Sequence, residues 1–187
     1  ASPRRQELLR QIGIDFTLLK VDVDEVRRPG ETAAAFVERL ALDKARAGHA
    51  LLDAGDKTPV LGADTAVVID DTIMGKPRDR EHGIAMLQSL SGRIHQVMTA
   101  VALVGGHEVV RLSHSSVTFA TLATADCEAY WDSGEPADKA GGYAIQGLAA
   151  AFVTHLDGSY SGVVGLPLNE TVALLKEFGI KILQAID

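Results

Sequence analysis

The sequence predicts an α/β fold built on a mixed β-sheet. Three observations carry this. Segments with helical spacing of apolar residues alternate with extended apolar runs along the chain. Two Gly-centred turns, Gly105-Gly106 and Asp157-Gly158, lie between extended runs and read as hairpins. Finally, 47% of the 187 residues are apolar and only 5% aromatic, which suits a core of Ala, Val, Leu and Ile. That is enough for a single domain over residues 1–187, or two small lobes on a continuous core.

The elements follow in order. Ser2-Pro3 reads as N-cap and first residue of a helix that ends before Gly13. Asp15 to Val21 is extended, and Pro29-Gly30 turns the chain. A long helix runs from Thr32, with Phe36, Val37, Leu40 and Ala41 on one stripe, and fades near Gly55. Val60 to Asp70 is an apolar strand that Asp70-Asp71 can fold into a short hairpin. Asp79 to Leu90 is helical and closes at Ser91-Gly92. His95 to Val104 and Val109 to Phe119 pair around Gly105-Gly106. Thr124 to Trp131 is a short helix, followed by a Gly-rich loop from Ser133 to Gly147. Ala149 to Leu156 and Tyr160 to Val164 form the second hairpin. Leu168 to Phe178 is the last helix, stopped by Gly179.

Composition narrows the function. One cysteine, Cys127, excludes an intrachain disulfide and fits a reducing, cytoplasmic setting. No apolar stretch approaches the ~18 residues of a membrane span, and no signal peptide is visible. Net charge is −7, a poor basis for sequence-independent nucleic-acid binding. An anionic ligand must therefore meet a local basic cluster or a bound cation. Walker, GxGxxG and HExxH motifs are absent, and "GSYSG" carries Tyr160 where a nucleophile elbow needs serine. The histidines show no metal-ligand spacing.

Five features carry chemistry. Asp64 interrupts the buried run "VLGADTAVVID", and a buried carboxylate needs a cation, a metal or hydrogen bonds. Lys76, fixed between Gly75 and Pro77, can act as a phosphate point charge. Lys44 leaves the apolar stripe of the long helix rather than its wet face. Asp22, Asp24 and Glu25 cluster in "VDVDEVRRPG", where carboxylates can hold Mg²⁺. The loop "DKAGGYAIQG" offers Gln146, an amide able to read a base edge, among glycines that admit close approach. Each has a plain alternative: a structural ion pair, a solvated lysine, a snorkelling lysine, a charged loop, a flexible connector. Together they are the inventory for a metal-assisted reaction on a nucleotide phosphate.

The segments "SPRRQELL", "RLALDKA", "LGADT", "GKP", "SGRIHQVMTAV", "DKAGGYAIQG" and "VVGLPL" resemble, in order and over essentially the whole chain, the Maf family of nucleoside triphosphate pyrophosphatases. The resemblance implies an elongated mixed sheet flanked by helices, in two lobes with a cleft between them, as in inosine triphosphate pyrophosphatases. It implies an opening strand ahead of Ala1. It implies hydrolysis of a nucleoside triphosphate to monophosphate and pyrophosphate with a divalent cation, Mg²⁺ or Mn²⁺. It places the catalytic carboxylate on Asp64, phosphate contacts on Arg5, Lys44 and Lys76, and metal-side residues on Glu25 and Asp64. Arg4, Thr65 and Gln146 match the branch acting on dTTP and UTP, with modified uridine nucleotides as further candidates. The sibling branch acting on 7-methyl-GTP has Trp where Arg4 stands. Rival readings are a house-cleaning pyrophosphatase for another nucleotide, or a nucleotide-binding regulator of septum formation acting through a protein partner. The expected partners are a nucleoside triphosphate and, at most, a second copy in a homodimer, with no nucleic acid and no membrane.

Overall fold

The computed structural model describes residues 2–182. Its elements are α1 (Pro3–Gln11), α2 (Ala33–His49), β1 (Val60–Ile69), β2 (Thr72–Met74), α3 (Arg80–Leu90), β3 (Ile94–Val104), β4 (Glu108–Phe119), α4 (Thr124–Asp132), β5 (Val153–Asp157), α5 (Tyr160–Val164) and α6 (Leu168–Glu177). Short 3₁₀ turns occupy Ala140–Gly142 and Leu148–Phe152. The strands form one five-stranded sheet in the order β2-β1-β3-β4-β5. The α/β class, a sheet flanked by helices, is as the sequence predicts. The mixed character is not found at the sheet's edges: β1 with β2 and β4 with β5 pair antiparallel. β3 and β4, neighbours joined by three residues, are antiparallel too, because so short a link cannot make a parallel crossover.

Helix starts are set by local chemistry. Thr32 accepts the Ala35 N–H at 3.2 Å and caps α2, and Asp79 accepts the His82 N–H at 2.7 Å and caps α3. The β1–β2 turn places Asp70 and Asp71 at φ 48° and 59°, the paired left-handed conformation of a two-residue hairpin. Gly179, at φ 73°, follows the end of α6.

The expected second hairpin is the main error of the sequence reading. β5 pairs back with β4, and Tyr160–Val164 is helix, not strand. Ser159 explains it: its hydroxyl accepts the Gly162 N–H at 3.0 Å, an N-cap that starts a helical turn where β-branched Val163 and Val164 suggest extension. Asp15 to Val21, read from the sequence as extended, joins no ladder.

The chain forms two compact units: Ala1–Asp64, Thr99–Ser113 and Gly165–Asp187 make the first; Thr65–Met98 and His114–Val164 make the second. The first is cored by Val37, Leu40, Ala41, Leu103, Leu166 and Leu174, each at most 1% exposed. In the second, Phe119 lies edge-on to His95 and Tyr143, with centroids 5.0 and 4.9 Å away. No helix among the described residues is long and apolar enough to cross a membrane. Cys127 is buried and free, its thiol pushed up by burial.

His95 makes the second unit acid-sensitive. It is 1% exposed, its Nε2 lies 2.7 Å from the Tyr143 hydroxyl, and burial lowers its pKa from 6.5 to about 4. The fold holds the neutral ring. Its contribution is therefore complete above the unfolded pKa and is lost as pH falls towards about 4. At 1.36 kcal/mol per unit, the loss is at most roughly 3 kcal/mol. Thermal unfolding at pH 7 and at pH 4.5 checks this. His95→Gln should show a smaller drop in Tm between the two; an equal drop would assign the acid sensitivity to other groups.

Candidate active site

The first unit builds its polar cluster where α2 lies on β1. Alternation along β1 puts Gly62 and Asp64 on one face. A Cβ at Gly62 would collide with the Ala41 carbonyl oxygen and stand 2.6 Å from the Ala45 nitrogen, so the helix backbone rests on the strand with no side chain between. The small residues Ala41, Ala45 and Gly48 make that approach available. Lys44 lies at the edge of this stripe, and the close approach delivers its ammonium to Asp64.

Lys44 Nζ is 2.7 Å from Asp64 Oδ1 and 2.6 Å from Glu25 Oε1. The Asp64 side chain is 13% exposed and that of Lys44 20%, whereas Glu25 is 60% exposed. Burial raises the Asp64 pKa above the usual carboxylate value; Lys44 and Arg5 pull it down, and Glu25 adds to the rise. The carboxylate is thus more basic than a surface Asp while cations keep it available in its charged form.

Arg5, expected at the phosphates, also holds main chain. Its Nε donates to Gly165 O at 2.6 Å and its Nη1 to Ala63 O at 2.8 Å. The guanidinium grips the main chain directly before Asp64. Burial lowers its pKa, Asp64 and Glu25 oppose that, and the neighbouring charge of Arg4 adds to it. Arg4 itself is half-buried in the first turn of α1.

The loop carrying Glu25 is anchored by residues the sequence reading missed. Arg39 on α2 donates to both Glu31 oxygens, at 2.6 and 2.9 Å, and to Val26 O at 3.1 Å. Hydrogen bonds from Arg39 and the Arg28 N–H hold Glu31 at a pKa of about 2. Asp24 accepts the Val26 N–H at 2.9 Å. The one available signal was an Arg on the helix face, and sequence spacing does not say which loop acid it meets. A cavity of about 440 Å³ is lined by Asp24, one of the three clustered loop acids, with Val23, Val26, Arg27, Arg39 and Asp43 among others; neither Glu25 nor Asp64 lines it.

The second unit holds Thr65, Lys76 and Gln146. Lys76 is exposed in the loop after β2, and that loop is fixed by its neighbours: Gly75 O accepts the Gly141 N–H at 3.1 Å, and Pro77 packs on Gly142. The "GKP" and "DKAGGY" segments are thereby brought together. Thr65 shares a face of β1 with Val67, whose side chain fills the space a Cβ of Gly141 would need. Gln146 is the exposed residue of a turn closed by Gly147 N–H to Ala144 O at 3.0 Å.

Among the described residues no group of three or more acidic, His or Cys side chains converges. What does converge is two carboxylates on one ammonium. Hard oxygen donors in that number suit Mg²⁺ or Mn²⁺, which take few protein ligands and complete their shells with water and substrate phosphates. Glu25 and Asp64 are the residues that could offer such oxygens, and both now lie on the Lys44 ammonium.

Residues 1–178 match the family model described as Maf-like protein. A dTTP/UTP pyrophosphatase of Alkalilimnicola ehrlichii is 57% identical over 96% of this chain and 90% of its own length. Proteins of the same name from Saccharophagus degradans and Xanthomonas campestris are each 54% identical; these alignments cover 98% and 95% of this chain, and 88% and 95% of theirs. With one family model spanning nearly its whole length and relatives above half identity, this chain belongs to the Maf family.

Proposed function

We propose that the protein hydrolyses nucleoside triphosphates, dTTP and UTP foremost, to the monophosphate and pyrophosphate. The observation that carries this is the buried Asp64 carboxylate shared with Lys44, in a chain 57% identical to a dTTP/UTP pyrophosphatase. Water attacks the α-phosphorus in line, and the α–β anhydride bond breaks with pyrophosphate leaving. Asp64 orients that water and takes its proton. Lys44 and Lys76 offset phosphate charge. Arg5 holds the strand before Asp64 in place and adds positive charge beside it. A divalent cation bound by Glu25 and Asp64 would neutralise phosphate oxygens. Gln146 reads the pyrimidine edge, with Arg4 and Thr65 as the other specificity residues. A single cysteine, buried and free, fits a cytoplasmic setting.

The test is pyrophosphate release from dTTP, UTP, CTP, GTP and 7-methyl-GTP with Mg²⁺ or Mn²⁺. Highest kcat/KM for dTTP and UTP supports the reading. Preference for 7-methyl-GTP, or binding without turnover, overturns it. Lys44→Met keeps the apolar stem and removes the charge. It should lower kcat/KM for every accepted nucleotide by about 100-fold, the scale of losing one transition-state charge partner. A loss confined to one base would make Lys44 a base reader instead.

A further inference from the structure

One side-chain pair outside the proposed machinery grips both flanks of the turn that carries Gln146. Tyr130, on α4, is 4% exposed, and its hydroxyl donates to Glu135 Oε1 at 2.7 Å. The same hydroxyl accepts the Ala144 N–H at 3.1 Å, on the near side of the turn. On the far side, Glu135 Oε2 accepts the Leu148 N–H at 3.0 Å and Oε1 lies 3.4 Å from the Ala149 nitrogen, again as acceptor. The carboxylate also occupies the space a Cβ would need at Gly147. Between these anchors Ala144 and Ile145 are 3% and 5% exposed, while Gln146 stands out into solvent.

The chemistry of the pair suits a clamp. The three donors around Glu135, one phenol and two amides, require a group that accepts at both oxygens, which an ionised carboxylate does. Burial alone would raise the Glu135 pKa, but the Tyr130 hydroxyl and the Leu148 and Ala149 amides outweigh it and lower the pKa. Tyr130 is fixed in turn by its ring, edge-on to Phe152 with centroids 5.2 Å apart.

We infer that Tyr130 and Glu135 are positioning residues for base selection: they set the height and direction of Gln146 by fixing the backbone on both sides of its turn. The inference rests on the reading of Gln146 as the base reader. A reading amide displaced by even 1 Å loses its hydrogen bonds to the base, but the phosphate chemistry common to all nucleotides is untouched.

The experiment compares kcat/KM for dTTP, UTP, CTP and GTP in wild type, Glu135→Gln, Tyr130→Phe, Gln146→Ala and the Glu135→Gln/Gln146→Ala double variant. Glu135→Gln keeps size but turns one acceptor into an NH₂ facing an N–H. It should cut kcat/KM for dTTP and UTP by about 10-fold while CTP and GTP change by less than about 3-fold, as expected of a misplaced reader. Tyr130→Phe deletes one hydroxyl, keeps the ring packing and should shift the ratio the same way by less. The double variant should discriminate no worse than Gln146→Ala. Hydrogen exchange of the peptide containing Leu148 and Ala149 should accelerate in Glu135→Gln with little change elsewhere. Equal losses for all four nucleotides would make the pair merely structural and overturn the inference. An intact ratio in Glu135→Gln beside a collapsed ratio in Gln146→Ala overturns the inference alone. An intact ratio in Gln146→Ala overturns the reading of Gln146 and the inference with it.

Discussion

Asp64→Asn should reduce kcat by at least about 100-fold with the fold intact, the usual scale for losing a general base. The amide has the carboxylate's shape, so it still occupies the space beside Lys44 and can accept its hydrogen bond at the 2.7 Å position. What it cannot do is take a proton. The loss should therefore fall on kcat for every nucleotide, with Tm unchanged or raised. Stability has a reason to rise. Burial disfavours the charged carboxylate at this site, and a neutral amide removes that penalty. Turnover within a few-fold of wild type would remove Asp64 from the chemistry; a collapse of Tm together with kcat would reassign it to structure.

Gly62→Ala should be the most destabilising single-methyl change in the first unit. The new Cβ meets backbone atoms of α2, the Ala41 carbonyl and the Ala45 nitrogen, and backbone cannot rotate away as a side chain can. Relief requires α2 to lift off β1. Overpacking of this kind costs about 1–3 kcal/mol, with the upper end expected where main chain meets main chain. The same lift separates Lys44 from Asp64, so activity should fall further than stability predicts. Gly83→Ala is the comparison: its Cβ would meet the Trp131 ring, a side chain rather than main chain, so its loss of Tm should be smaller and activity largely kept. If Gly62→Ala unfolds at the wild-type temperature, the close packing of α2 on β1 is wrong.

How much of this was legible in the sequence depended on the range of the interaction. Thr32, Asp79, Asp70-Asp71 and Gly179 act through their nearest neighbours, and the elements they bound were readable from order alone. Lys44 was readable as an anomaly on an apolar stripe, and Asp64 as a charge in a buried strand. That the two are one ion pair was not, because spacing along a chain does not give distance across it. Tyr160–Val164 was misread because its valines favour strand while a single hydroxyl, Ser159, decides for helix. Arg39 with Glu31, and Tyr130 with Glu135, were invisible for the same reason as the ion pair. Each residue alone has an ordinary surface or core role, and the function lies in which backbone groups the pair happens to hold.

The grip of Arg5 has a consequence for the order in which the molecule is made. Its hydrogen bonds join residues 58 and 160 positions apart in sequence. Contacts that close loops of that length carry their entropic cost before any stabilisation returns, and they form late in folding. On the ribosome the constraint is stricter, since Gly165 must leave the exit tunnel before the second bond can form. A nascent chain that already displays α1, α2 and β1 therefore carries Asp64 with its strand held on one side only. Catalytic competence should follow the emergence of Gly165 rather than that of Asp64, so nascent chains shorter than this hydrolyse no nucleotide.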